Sequence, residues 1–192
     1  MKINFVKDAG HKNKGNNMES ETSRILSEEH KNILKVIAII KKECEAIKNG
    51  KQADKEFFSD AVDFIRNYAD RFHHAKEEDI LFKEFCNNES EMHCNPVNQM
   101  LFEHETGRNF VKGIESGIKE NSKDKIVENA LGYAQLLEEH IYKEDNILYP
   151  MADEGLSEKI KVEMLKKFKN IDKEKSKDKE KYIKLIEKLG KR

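Results

Sequence analysis

Residues 72–82 read FHHAKEEDILF and residues 139–149 read EHIYKEDNILY. Superposed, they place His73 on His140, Lys76 on Lys143, Glu77 on Glu144 and Ile80-Leu81 on Ile147-Leu148, so one device is written twice along the chain. In each copy a histidine and a glutamate stand four residues apart. On a helix that spacing puts both on one face, one turn removed, where imidazole and carboxylate converge on a single point.

The residues around both copies keep helical period. From a start near Ser122, the positions Ile126, Ala130, Tyr133, Leu137, His140, Glu144, Ile147 and Met151 recur at 4,3 intervals, the seam of a helix packed lengthwise against neighbours. The helix holding the first copy starts at an Asp54 N-cap and turns Phe58, Ala61, Val62, Ile65, Ala69 and Phe72 inward. Upstream, Leu26, His30, Ile33, Ile37, Ile40, Cys44 and Ile47 trace a helix from about Ser20 to Asn49, with Gly50 in the C-terminal cap. A third helix follows the polar loop CNNESEMHCN, capped by Asn95 with Pro96 in its first turn, and its seam runs Val97, Met100, Leu101, His104, Gly107, Val111, Ile114 and Ile118. In both of these seams a histidine stands where a leucine is expected. Four helices joined by short polar loops make an all-α, antiparallel up-down-up-down four-helix bundle over residues 18–153. Residues 1–17 are polar and aperiodic, expected as a mobile tail. Residues 154–192 are expected as a charged helical extension, with apolar pattern around Met164 and Phe168 and again around Tyr182 and Leu189. Between these lies NIDKEKSKDKEK, which reads as too polar to pack.

Composition agrees with long helices: 192 residues, 38% charged, with 9 Gly, 2 Pro and no Trp. Lys+Arg 36 against Asp+Glu 37 leaves a net charge of -1, so no global field favours nucleic acid or an anionic membrane as a partner. No apolar run approaches the roughly 20 residues that span a bilayer, and the opening MKINFVKDAGHKNKGNN lacks a secretion-signal core, which makes a cytoplasmic location the expectation. Cys44, Cys86 and Cys94 form no C-x-x-C pair and fit a reducing compartment. No Gly-rich phosphate cradle or activated nucleophile is evident, so hydrolase and transferase chemistry find no support.

Every helix therefore brings at least one ligand-type side chain to a shared axis: His30, His73 with Glu77, His104, and His140 with Glu144. Buried unpaired imidazoles and carboxylates cost free energy, and no seam Lys or Arg is there to compensate them. One or two cations would satisfy all six groups. Imidazole with carboxylate and no thiolate suits iron, and after it manganese or zinc. His74 and Glu78 repeat the same spacing, and Asp145 stands five after His140, but helical phase puts these three at the edge of the site. Tyr68 and Tyr133 are inward, as core aromatics whose hydroxyls neighbour the site. His11 and His93 fall outside the helices and are expected on the surface.

With EEH at 28–30, HHAKEE at 73–78, FEHE at 102–105 and HIYKEDNILYP at 140–150, the chain resembles the hemerythrin-like, or HHE cation-binding, family over about Ser20 to Asp153. The resemblance implies a non-heme centre of two iron ions, held by His30, His73, His104 and His140, bridged by Glu77 and Glu144 and by an oxo or hydroxo group, that meets dioxygen or related small molecules. Oxygen-carrying hemerythrins have a second histidine on the third helix, four residues after the first; here that position is Arg108. Water, His74 or Glu103 would stand in its place, which favours redox turnover or sensing over simple oxygen carriage. The expected function is binding and reduction, or sensing, of oxygen, peroxide or nitric oxide, with an electron donor the sequence does not name. The alternative is an iron-storage, iron-delivery or iron-sensing module read by a partner.

Overall fold

A computed structural model of the chain describes residues 19–88 and 95–192, and the expected tail, His11, His93 and Cys94 lie outside the described residues. The described residues are helices joined by short connections, without a strand. Helix α1 spans Glu21–Lys48. The second rod runs from α2 (Lys55–Phe64) through π-helical stretches Ile65–His74 and Glu77–Leu81 into α3 (Phe82–Asn87). Helix α4 (Val97–Glu120) is the third rod, and α5 (Lys123–Lys143), a π-helical turn Glu144–Leu148 and α6 (Tyr149–Gly155) make the fourth. Helices α7 (Glu158–Glu174) and α8 (Ser176–Gly190) follow.

Side-chain oxygens of Ser20, Asp54, Ser122 and Ser157 accept bonds from the opening N–H groups of α1, α2, α5 and α7, satisfying donors that have no partner within the helix. Gly50 follows α1 at φ 104°, the left-handed turn for which a residue without Cβ is suited. The Asn95 side chain accepts from Val97 N at 3.0 Å, so α4 begins one residue beyond Pro96.

Cross-rod bonds run in opposite order along each neighbouring pair. Ser23 meets Asp153 while Lys41 meets Glu138; Asn32 meets Tyr68 while Glu29 meets His73; Arg66 meets Glu115 while Glu78 meets His104. Gly117 lies against Ile126, and His104 against His140. The rods thus form a closed antiparallel ring. At one end the core is Ile33, Ile37, Phe58, Tyr68, Val111 and Leu137 with their neighbours; at the other it is Leu26, Leu81, Phe85, Met100, Leu148 and Tyr149 with theirs. The ligand-type residues form a polar layer between them.

Two expectations need correction. Ile147 is 47% exposed and Leu148 is buried in its place, because the π turn at Glu144–Leu148 bonds i to i+5 and carries the inward face forward by one residue. The run NIDKEKSKDKEK does pack: α7 ends within it at Glu174 and α8 starts within it at Ser176, Ile171 rests against both cores, and Asp172 reaches Lys76. Its polar groups find polar partners on the bundle, which hydropathy does not register. Met164 and Phe168 of α7, and Tyr182 and Leu189 of α8, are buried against the bundle.

Candidate metal centre

The structure brings all six expected site residues together. His30, His73, Glu77, His104, His140 and Glu144 are each at most 2% exposed. One ligand atom from each of His30, His73, Glu77 and Glu144 lies within 4.8 Å of the others, and the same holds for a second group of His74, His104 and His140. The two groups touch. His104 Nε2 is 3.5 Å from Glu77 Oε2, and His140 Nε2 is 3.1 Å from Glu144 Oε1, while Glu144 Oε2 is 3.3 Å from His30 Nε2. Both glutamates therefore stand between the groups, as bridging carboxylates would.

His74 departs from its expected place at the edge. It is buried, and its ring stacks on that of His104 with centroids 3.8 Å apart. Both π-helical stretches of the second rod widen the turn around this point, so His73 and His74 can each face the interior. Glu78 and Asp145 do lie at the edge, their side chains 27% and 31% exposed.

The outward nitrogen of each of the four expected rings is held by an acid from the neighbouring rod. His30 Nδ1 lies 2.9 Å from Asp145, His73 Nδ1 3.1 Å from Glu29, His104 Nδ1 2.7 Å from Glu78 and His140 Nδ1 2.8 Å from Glu103. A carboxylate accepts there, so Nδ1 carries the proton and Nε2 is directed inward. Each acid is the sequence neighbour of an inward group on its own rod: Glu29 of His30, Glu78 of Glu77, Glu103 of His104 and Asp145 of Glu144. The first rod thus orients the second, the second the third, the third the fourth and the fourth the first. Glu29 and the orienting role of Glu103 were not foreseen in the sequence, although an acid next to one inward ligand on every rod was the available signal. Tyr149 was missed as well; its hydroxyl donates to Glu77 Oε1 at 2.5 Å.

Charge inside the layer is divided unevenly. Burial works to lower His30 and His140, but the surrounding carboxylates prevail: Asp145 and Glu144 hold His30 up to about 9, and Glu144 and Glu103 hold His140 up to about 10. Burial raises the Glu77 carboxyl well above its ordinary range, with the Glu144 charge beside it adding to the effect. Burial works the same way on Glu144, yet the His140 and His30 charges carry it well below. His73 and His74 are pushed down by burial, so their rings are neutral near pH 7.

Four buried atoms in this layer have no hydrogen-bond partner: His73 Nε2, Glu77 Oε2 and both carboxylate oxygens of Glu144. The contacts of Glu144 with His30 and His140 are electrostatic proximity rather than directed bonds. Unpartnered lone pairs facing one point are what a cation would coordinate, so the residues present fit a metal. The fully buried Lys76, where no inward Lys or Arg was expected, does not fill this role. It is bonded to Glu29 and Asp172, away from Glu77 and Glu144.

Beside His74, His104 and His140 lies a cavity of about 30 Å³, walled also by Tyr133, Gly107 and Arg108. The Tyr133 hydroxyl is buried on this wall without a partner. Arg108, standing where a second third-rod histidine was looked for, instead grips Asp70 at 2.8 Å and Glu78 at 2.6 Å.

No helix among the described residues is long and apolar enough to cross a membrane. Neither a curated protein nor a solved structure matches the chain. The family model described as Hemerythrin HHE cation binding domain matches residues 22–152, and the chain belongs to that family.

Proposed function

We propose that this member of the hemerythrin HHE cation-binding family holds two iron ions, and that it binds and reduces, or senses, oxygen, peroxide or nitric oxide. The observation that carries the reading is the pair of touching donor groups with Glu77 and Glu144 between them and their inward oxygens unpartnered. In this reading His30 and His73 hold one ion, His104 and His140 the other, with His74 as a further donor on the second side. Held by these residues, two adjacent irons would supply the electrons for a two-electron reduction and Lewis acidity toward an anion. The protein's own contribution is placement and exclusion. Phe72, Phe82 and Leu81 close the layer to bulk water, and the acids at each Nδ1 fix which nitrogen faces the ions. Tyr149 steadies one oxygen of Glu77, leaving the other free. The cavity beside His74 holds about one or two water-sized molecules, which supports a diatomic or peroxide as the small-molecule partner.

The test is anaerobic reconstitution with ferrous iron, then separate exposure to oxygen, peroxide and nitric oxide under a spectrophotometer. Close to two irons per chain, with near-ultraviolet charge-transfer absorption after oxidation, is the expected result. Less than about half an iron per chain, with no such absorption, would sink the reading. A second reading, an iron-storage, iron-delivery or iron-sensing module read by a partner, is favoured by one contact: Asp172 of the C-terminal helices stands only two side chains from His73. Slow or absent turnover, with protection of residues 158–192 that depends on iron, would select it.

A further inference from the structure

Lys76 is the one lysine among the described residues with no exposed surface. Its ammonium lies 2.5 Å from Glu29 Oε1 and 2.6 Å from Asp172 Oδ1. The Phe72 ring lies 4.0 Å beneath it and the Phe168 ring 5.8 Å away. Lys179 adds a second ammonium, 3.9 Å from Glu29 and 3.7 Å from Asp172. Two cations and two anions thus balance in a cluster drawn from α1, the second rod, α7 and α8. A buried ammonium is tolerated only where such partners replace its water. Glu29 uses its other oxygen on His73 Nδ1, so the cluster ends on a ring whose Nε2 faces the centre.

The repeated sequence device provides an internal comparison. Lys143, the counterpart of Lys76, binds Glu103, and Glu103 holds His140 as Glu29 holds His73. The Lys143 side chain is 33% exposed, whereas that of Lys76 under α7 and α8 has no exposed surface. The same three-residue relay therefore exists once open to water and once closed by the C-terminal helices.

We infer that Asp172, reaching in from α7, and Lys76 are positioning residues of the metal centre: Asp172 clamps Lys76 on Glu29, and Glu29 then holds His73 with its lone pair inward. The inference rests on the reading of this layer as a metal site. With Asp172 neutralised, Lys76 keeps one carboxylate beside the like charge of Lys179. It draws away toward water, and the Glu29–His73 bond loses its fixed geometry.

The experiment uses the full chain and follows loss of ferrous iron to a chromogenic chelator under anaerobic conditions. Removing an outer hydrogen-bond partner of a metal-bound histidine weakens metal affinity by about 10–100-fold. Asp172→Asn and Lys76→Met, which loosen that partner without removing it, are expected to speed release of one iron per chain by about 10-fold, the low end of that range, with Asp172→Glu restoring the slow rate. A second measurement needs no metal. In the iron-free protein, nitrogen NMR of the histidine rings should show His73 as a single Nδ1–H tautomer that becomes a mixture in Asp172→Asn, while His140 is unchanged. Lys188→Ala cuts an α8 anchor to Asp60 and Glu56 remote from the cluster and should move neither reading. The inference is overturned if folded Asp172→Asn and Lys76→Met leave both the release rate and the His73 tautomer as in the parent, or if Lys188→Ala shifts them equally, since that would reduce Asp172 to a docking contact. Should the parent bind no iron, the proposed function fails and the metal-retention part of this inference with it, and the tautomer measurement still decides whether Asp172 and Lys76 position His73.

Discussion

The bundle is two similar halves treated differently by what surrounds them. In one, α1 supplies Glu29-His30 and the second rod His73, Lys76, Glu77 and Glu78; in the other, α4 supplies Glu103-His104 and the fourth rod His140, Lys143, Glu144 and Asp145. Each half builds the same relay of lysine, acid and imidazole. The first half is closed by Phe168 and Asp172 of α7, whereas the second borders the cavity with its unpartnered Tyr133 hydroxyl. The comparison teaches that the asymmetry of the centre comes less from its inward donors than from what lies behind them.

The largest effect tests whether the halves share their bridging groups. Glu77→Ala and Glu144→Ala should each lose at least one metal per chain, measured by elemental analysis after reconstitution. If each variant kept two, the carboxylates would not bridge. Closing the first half is tested by Phe168→Ala, which empties a fully buried position and should cost about 3–5 kcal/mol in chemical denaturation. A cost below about 1 kcal/mol would mean that α7 lies loosely on the bundle. Glu78→Ala and Asp145→Ala each remove one orienting acid and should keep both metals while weakening their retention about 10–100-fold. Outright loss of an ion from Glu78→Ala would instead move Glu78 into the coordinating set.

The smallest effect is a pH dependence of the metal-free protein. His30 and His140 are raised in the fold to about 9 and about 10, so the stability they contribute is fully present below their ordinary value near 6.5 and is lost as pH rises through 9 to 10. His73 and His74 are lowered, and their contribution is lost as pH falls below about 6.5. Thermal denaturation should therefore show a maximum at about pH 6.5, with the melting temperature falling on both sides of it. A melting temperature still climbing at pH 10 would contradict the assigned charges.

The bundle and its six inward donors were legible because helical period and the His-x-x-x-Glu repeat are properties of single segments. Phase arithmetic went wrong where the backbone left the α-helix, burying His74 and Leu148 while exposing Ile147. Such i to i+5 turns arise from tertiary packing. Lys76 was passed over because a lysine reads as a surface residue until its two carboxylates are known, and one of them comes from a run that looked too polar to pack. The partners at each Nδ1 escaped for a related reason: Glu29 and His73 are 44 residues apart, and no local pattern joins them.

The loop of acid-to-imidazole bonds that passes through all four rods and returns to its start also acts as a mechanical interlock. A rod that slipped lengthwise by one turn, about 5.4 Å, would break the bond it gives and the bond it receives together. The heights of all four rods are therefore set in common, and an arriving ion meets a socket already cut to depth.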